Sequence, residues 1–544
     1  MNDRQLSTNN YRLPTTNIAA ILHDRAVSSP LVPAIIDTYK GSSRITSFAE
    51  LELAASRACT LLRRSNLQPG DAVLVFSPMS AELYAILLAL FRLGLVAMFL
   101  DPSAGRKHIE KCCNLHPPQA FIGSPKAHLL RLVSPALRRI PIKFAIGFPV
   151  PGAISWHSGR HLPLDPEIVR CNADTPALLT FTSGSTGQPK AALRTHGFLI
   201  AQYRALAQTL QPTPETIELT ALPIFVLANL ASGMTTLIPS GDLRFPSAIA
   251  PSPIITQIQT HKPNRILASP AFLERLAEYC LKHRITLPSI EKIYSGGAAV
   301  MPGSIAQWQH ISPPAEFIIV YGSTEAEPIA HISDRDIKHE DIVATLNGHG
   351  LLVGKPVSAI QLRIMRQQWG KAIHSYSRAE FATACLPPES TGEIVVSGNH
   401  VLPSYLHGYG NAETKFSVDG TPWHRTGDAG YLDLQGRLWL LGRCQACIED
   451  EYGMLYPFAV EAVVQHYPGI RRAAVVSHRG QRILVVELNN RKSKVNLTSL
   501  HKSLANYHIQ SIKVFKKIPV DKRHNSKIDY PTLHKLLQVS RSTD

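Results

Sequence analysis

The 544-residue chain has only eight cysteines, and no spacing among them suggests a disulfide framework. That sets aside a small bridge-stapled fold and favours a reducing compartment. Cys444 and Cys447 form one C-x-x-C, but no second pair and no His-x-His cluster lies nearby, so neither zinc nor redox chemistry is read from it. No apolar leader opens the sequence; MNDRQLSTNNYR is polar, and a cytoplasmic location is expected. The one stretch that resembles a membrane span, LYAILLALFRLGLVAMFL at 83–100, carries Arg92 and is split by Gly94. Its first half reads as a buried helix and VAMFL as a strand closed by Asp101-Pro102. No internal repeat, zinc finger, basic heptad or aromatic-lined RNA motif is found.

What is present fits an ordinary folded protein of more than one domain, with 44% hydrophobic and 18% charged residues. Apolar, β-branched runs such as DAVLVFS, VAMFL, FIIVYG and GEIVVSG alternate with helical patterns through about residue 440. This predicts an α/β fold of parallel-rich sheets. After Gly442-Arg443 the character changes to a basic segment with two strand-like runs, AAVVSH and ILVVEL, and the helical SLHKSLANY. A large N-terminal domain, 1–443, and a small α+β cap, 444–544, are therefore expected. The net charge is +16, and residues 444–544 hold 16 Lys/Arg against 8 Asp/Glu. Such an excess suits nucleic acid, an anionic membrane surface or a polyphosphate substrate, and charge alone does not choose.

Chemistry concentrates in four places. TFTSGSTGQPK, 180–190, puts five hydroxyls, two glycines and one lysine between ordered elements. Its glycines allow close backbone approach, its hydroxyls and N–H groups are donors, and Lys190 adds a point charge. The spacing is not that of a P-loop. Taken alone it is equally a phosphate-holding loop or a polar linker. YGSTEAEP, 321–328, places an aromatic, a hydroxyl and a carboxylate at a strand end, where ligands of α/β sheets gather. Glu325 there suits Mg²⁺, which takes few carboxylates. WHRTGDAGYLDLQGRLWLLGR, 423–443, offers Asp428 and Arg443, and VDKRHNSKIDYPTL offers Lys527. Each, singly, is also an unremarkable turn or helix start.

In this order and separation the four clusters resemble the adenylate-forming superfamily of acyl-CoA synthetases, peptide-synthetase adenylation domains and luciferases, over nearly the whole chain. The resemblance implies ATP and Mg²⁺ as cofactors. Ser183, Gly184, Ser185, Thr186, Gly187 and Lys190 would form the phosphate loop. Gly296, Gly297 and Ala298 with Tyr321 and Gly322 would enclose adenine. Thr324 and Glu325 would meet phosphate and metal, Asp428 and Arg443 the ribose, and Lys527 would be the catalytic lysine carried by the cap.

Further stretches, among them DPSAGRKHIEKC, AFIGSPKAHLLRL and LPIFVLANLASGMTTLIP, resemble the β-lactone synthetases of bacterial long-chain olefin biosynthesis. That branch adenylates a 2-alkyl-3-hydroxy fatty acid, whose own hydroxyl then closes a β-lactone with release of AMP. It implies a condensing enzyme, a reductase and a lactone decarboxylase as pathway partners, and no nucleic acid. The CoA-ligase pattern is broken in a way that agrees. The hinge position holds Gln445, and the loop usually glycine-rich reads EDEYGM, with Gly453 its one glycine. The alternatives are a fatty-acid CoA ligase, a ligase loading a carrier protein, or a non-catalytic nucleotide-binding relative. Phe225 and Leu227 line an acyl pocket or belong to the core. His196 is structural or catalytic, and no base for ring closure is assigned.

Overall fold

The computed structural model describes residues 16–101, 104–183, 188–489, 495–521 and 528–539. Two sheets carry the N-terminal part. In the first, parallel strands run in the order Ile154–Ser155, Ile142–Ala145, Ala120–Gly123, Ala72–Phe76, Val96–Phe99 and Pro176–Ser183. The return strand Pro189–Thr195 closes it antiparallel, with Thr182 opposite Lys190. The run at 83–100 divides as expected into the buried helix Ala81–Arg92 and the strand Val96–Phe99. Arg92 is tolerated there because it pairs with Glu52 and donates to the Asp165 carbonyl at 3.0 Å. Among the described residues no helix is long and apolar enough to cross a membrane.

The second sheet has fourteen strands. From Pro33–Tyr39 through Thr235–Leu237, Ile217–Thr220, Arg265–Ala268, Lys292–Gly296 and Glu316–Ser323 the pairing is parallel. Beyond Glu316–Ser323 it turns antiparallel through Ala326–Ser333, Leu351–Pro356, Leu438–Arg443, Thr421–Leu432 and Gly392–Ser397. The alternating helix–strand pattern therefore yields parallel pairing only up to Ser323. At that point the connection Thr324-Glu325 is too short for a crossover helix, and a two-residue link can only return the chain antiparallel.

After Arg443 a single 3₁₀ turn, Cys444–Ala446, leads to a small domain. It contains the hairpin Ile448–Asp450/Gly453–Leu455 and a three-stranded sheet, Ile470–His478, Gln481–Leu488 and Ser511–Phe515. It has its own apolar clusters, one around Val460, Val475 and Val486, the other around Val476, Leu533 and Leu537. All eight cysteines are free thiols, in keeping with the absence of a disulfide framework.

Candidate active site

The strand ends named by the sequence lie side by side. Lys292–Gly296 runs beside Glu316–Ser323 with Gly296 opposite Val320. A Cβ on Gly296 would lie 2.2 Å from the Val320 carbonyl oxygen, so only glycine permits this approach. Gly297 and Ala298 follow at the strand end beside Tyr321 and Gly322, both of which lie in Glu316–Ser323. The Tyr321 hydroxyl donates to Asp428 Oδ2 at 2.7 Å, and Arg443 Nε approaches Asp428 Oδ1 at 3.1 Å. Cross-strand register explains the second contact, because Asp428 and Arg443 are direct partners. The Arg443 guanidinium is held above its ordinary range, chiefly by Asp428.

A second group of side chains surrounds Glu325, which occupies the turn between Ser323 and Ala326. Its carboxylate accepts a 2.7 Å hydrogen bond from the Tyr405 hydroxyl. Enclosure pushes this carboxyl up, but His424, the Tyr405 hydroxyl and Lys415 outweigh that and hold it below the usual carboxylate range. Lys415 and His424 are cross-strand partners and both are buried. Burial brings the Lys415 ammonium down to about 7, against the pull of Glu325, with Lys190 adding to the drop. Burial, reinforced by Lys415, brings the His424 imidazole down to about 3. Lys190 enters from the first sheet. Its Nζ lies 3.5 Å from Glu413 Oε2 and 5.5 Å from the Tyr405 ring centre. Gly410 makes room for it, since a Cβ there would meet Lys190 Cε at 2.6 Å.

Arg194 ties the first sheet to the turn that carries Glu325. One guanidinium nitrogen donates to Thr180 Oγ1 at 3.1 Å and another to the Thr324 carbonyl at 2.7 Å. A single buried side chain thus links the strand entering the 180–190 loop to the turn carrying Glu325. None of Arg194, Tyr405, Lys415 and His424 was singled out by motif. Arg194 and His424 lie inside RTHG and WHRTGD, but nothing local marks their partners, which come from distant segments.

Gly184, Ser185, Thr186, Gly187 and Lys527 lie outside the described residues, as does the Ser183 side chain. The chain on either side of Lys527 is pinned, however. Val520 bridges Ile528, and Asp529 N–H donates to the Pro519 carbonyl at 3.0 Å. Phe225 and Leu227 share the helix Pro223–Ala231 and are both buried, in separate apolar clusters. Phe225 packs with Ile318 and Val320, directly behind the strand that carries Tyr321. His196 has no exposed surface; its Nδ1 accepts from Ile18 N–H at 3.2 Å, and burial lowers it to about 4. Gln445 is exposed in the 3₁₀ turn. EDEYGM folds as a pinned hairpin: Arg482 grips Asp450 through two nitrogens, at 2.6 and 2.7 Å, and Tyr452 stacks on His508.

These residues suit a phosphorylated nucleotide. Ser323 Oγ and Ser295 Oγ are enclosed without a hydrogen-bond partner among the described residues, at the strand ends flanking the glycines. Glu325 is kept ionised beside Lys190 and Lys415, which fits one carboxylate meeting a divalent cation and phosphate oxygens.

The sequence pattern of the AMP-binding enzyme family matches residues 22–406. The chain belongs to that family. As an AMP-binding enzyme it is an ATP-dependent enzyme that adenylates a small-molecule carboxylic acid. It is 31% identical to an olefin beta-lactone synthetase of Stenotrophomonas maltophilia, over 84% of this chain and 85% of that one. It is 30% identical to an olefin beta-lactone synthetase of Xanthomonas campestris pv. campestris, over 89% of each. In fold, this AMP-binding enzyme is similar to ATP-bound MatB from Rhodopseudomonas palustris. The TM-score is 0.79 at 19% identity, covering 96% of this chain and 99% of that one.

Proposed function

We propose that the enzyme adenylates a 2-alkyl-3-hydroxy fatty acid and closes the acyl-adenylate to a β-lactone, releasing pyrophosphate and then AMP. The observation that carries this reading is the similarity, over more than four fifths of the chain, to two olefin beta-lactone synthetases. The pinned EDEYGM hairpin and Gln445 support it. They stand where a thiol-transferring relative needs a flexible, glycine-lined passage, and an internal nucleophile needs none.

In the first step a carboxylate oxygen attacks the α-phosphorus, and the bond to pyrophosphate breaks. The 180–190 loop with Lys190 holds the β- and γ-phosphates, Tyr321 and the Gly296-Gly297-Ala298 turn face adenine, and Asp428 and Arg443 hold the ribose. Glu325 and Thr324 stand at the phosphates, where Glu325 would hold Mg²⁺, which supplies charge neutralisation on the phosphate oxygens. Lys527, delivered by the domain taken to begin at Cys444, neutralises charge building on the α-phosphate. In the second step the substrate's 3-hydroxyl oxygen attacks the acyl carbon, the bond to AMP breaks, and the hydroxyl proton leaves. Tethering raises the hydroxyl's effective concentration, and the mixed anhydride supplies the energy that ring strain demands. Water must be kept out, because the anhydride also hydrolyses.

The test is incubation with Mg-ATP and a 2-alkyl-3-hydroxy fatty acid, with and without CoA, followed by mass spectrometry and NMR. A β-lactone with AMP, formed without CoA, is expected. An acyl-CoA appearing only with CoA, and plain fatty acids accepted equally, would make the enzyme a ligase.

A further inference from the structure

Between Lys111 and Leu164 the sequence has no aspartate or glutamate, but seven cations: Lys111, Lys126, Arg131, Arg138, Arg139, Lys143 and Arg160. This acid-free segment forms the outer edge of the first sheet, from Ala120–Gly123 through Ile142–Ala145 to the terminal strand Ile154–Ser155. The helix Pro125–Val133 covers that edge. Its outward side chains are apolar where water would be expected: Leu129 is 62% exposed, Leu132 74% and Val133 50%. Exposed Lys126, one turn before Leu129, shares their face. The adjacent loop at 146–153 carries Phe148, 82% exposed. Arg131 ties loop to helix by donating to the Pro151 carbonyl at 3.3 Å.

Four of the cations, Arg131, Arg138, Arg139 and Lys143, are neighbours. Arg138 donates to the carbonyls of Arg131 and Leu132 at the end of the helix, and Arg139 beside it is exposed. Burial, and then Arg131, push the Lys143 ammonium below its ordinary range. Leucines and a phenylalanine standing in water among lysines and arginines, with no carboxylate in 54 residues of chain, suit one environment well. Anionic headgroups attract the cations, and the acyl boundary just beneath takes up the apolar side chains. A nine-residue helix lies on such a surface and cannot span it.

We propose that this edge, the helix Pro125–Val133 with the 146–153 loop, docks the enzyme on an anionic phospholipid surface. The inference stands apart from the lactone reading, since it concerns where the enzyme sits and not what it makes.

The full-length enzyme is tested by co-sedimentation with phosphatidylcholine vesicles, with and without a phosphatidylglycerol fraction, at low and high salt. The wild type should pellet with the anionic vesicles alone and be released by salt. Two double variants at exposed positions separate the contributions, Lys126→Glu with Arg139→Glu and Leu132→Ser with Phe148→Ser. Each should lower vesicle partitioning by roughly tenfold or more, while melting temperature and pyrophosphate release on a short, water-soluble acid stay unchanged. Three results overturn the proposal. Wild-type enzyme that ignores every vesicle makes the edge a surface for a protein partner. Charge-reversed enzyme that binds fully places the contact elsewhere, on the basic C-terminal domain. Undiminished binding by the serine variant removes the apolar contact.

Discussion

Asp428 stands between Tyr321 and Arg443, accepting from the tyrosine hydroxyl at 2.7 Å with one oxygen and meeting the guanidinium at 3.1 Å with the other. The proposed adenine-facing and ribose-facing groups are thus one unit, and loss of the carboxylate frees two neighbours at once. A hydrogen bond to a charged group contributes about 1.5–3 kcal/mol. Asp428→Ala should therefore weaken ATP binding about tenfold to a hundredfold, and Tyr321→Phe by less, in calorimetric titration. Unchanged ATP affinity in Asp428→Ala would remove Asp428 from the ribose site.

Arg194 gives a sharper test, because geometry and charge can be separated there. Its planar fork reaches Thr180 and Thr324 together, which a single ammonium cannot do. Arg194→Lys keeps the charge and loses the span. Its kcat should fall roughly tenfold or more, as misplacement of positioned groups does, with ATP affinity changed little. A lysine variant with wild-type kcat would show that the link between loop and turn is not needed.

What was legible in the sequence follows a physical rule. Turn chemistry is local, so TFTSGSTGQPK and YGSTEAEP could be found by composition, and the Gly94 break in the 83–100 run could be read directly. The environment of Glu325 was not legible. Lys415 and His424 reach it from a hairpin and Tyr405 from the chain before that hairpin, and nothing local in the sequence marks them as its partners. The change from parallel to antiparallel pairing after Ser323 was likewise hidden, because a β-branched run such as GEIVVS looks the same in either. Phe225 could be core or pocket by sequence, and its burial behind the Tyr321 strand places it in an apolar cluster.

Glu461 makes the small domain's stability depend on pH. It is 3% exposed, and burial raises its carboxyl to about 7, against hydrogen bonds from Tyr530 and the Val475 N–H. In the unfolded chain it would titrate near 4.5. Between those values the unfolded state releases the proton and the folded state keeps it, so stability is full below 4.5 and falls as pH rises to 7. The loss is on the order of 3 kcal/mol. Glu461→Gln can still accept both hydrogen bonds and should flatten this slope. Hydrogen exchange of Ile470–His478 across that range reports it, and an equally steep slope in the variant would assign the dependence to another group.

Lys527 decides whether the small domain takes part in the chemistry. The segment that carries it is closed at its base by the Val520–Ile528 bridge, and Tyr530, three residues on, is anchored to Glu461 at 2.7 Å. In the proposed first step the Lys527 ammonium meets charge developing on the α-phosphate. Removing one such charged contact typically costs about 3–4 kcal/mol, roughly a hundredfold or more in rate. Lys527→Ala should therefore abolish pyrophosphate release while ATP binding, measured by calorimetry, stays largely intact. Supplying the enzyme with synthetic acyl-adenylate then separates the two steps. Lactone formation from it by the alanine variant would confine Lys527 to adenylation, whereas near-normal pyrophosphate release would take the role away from this residue altogether.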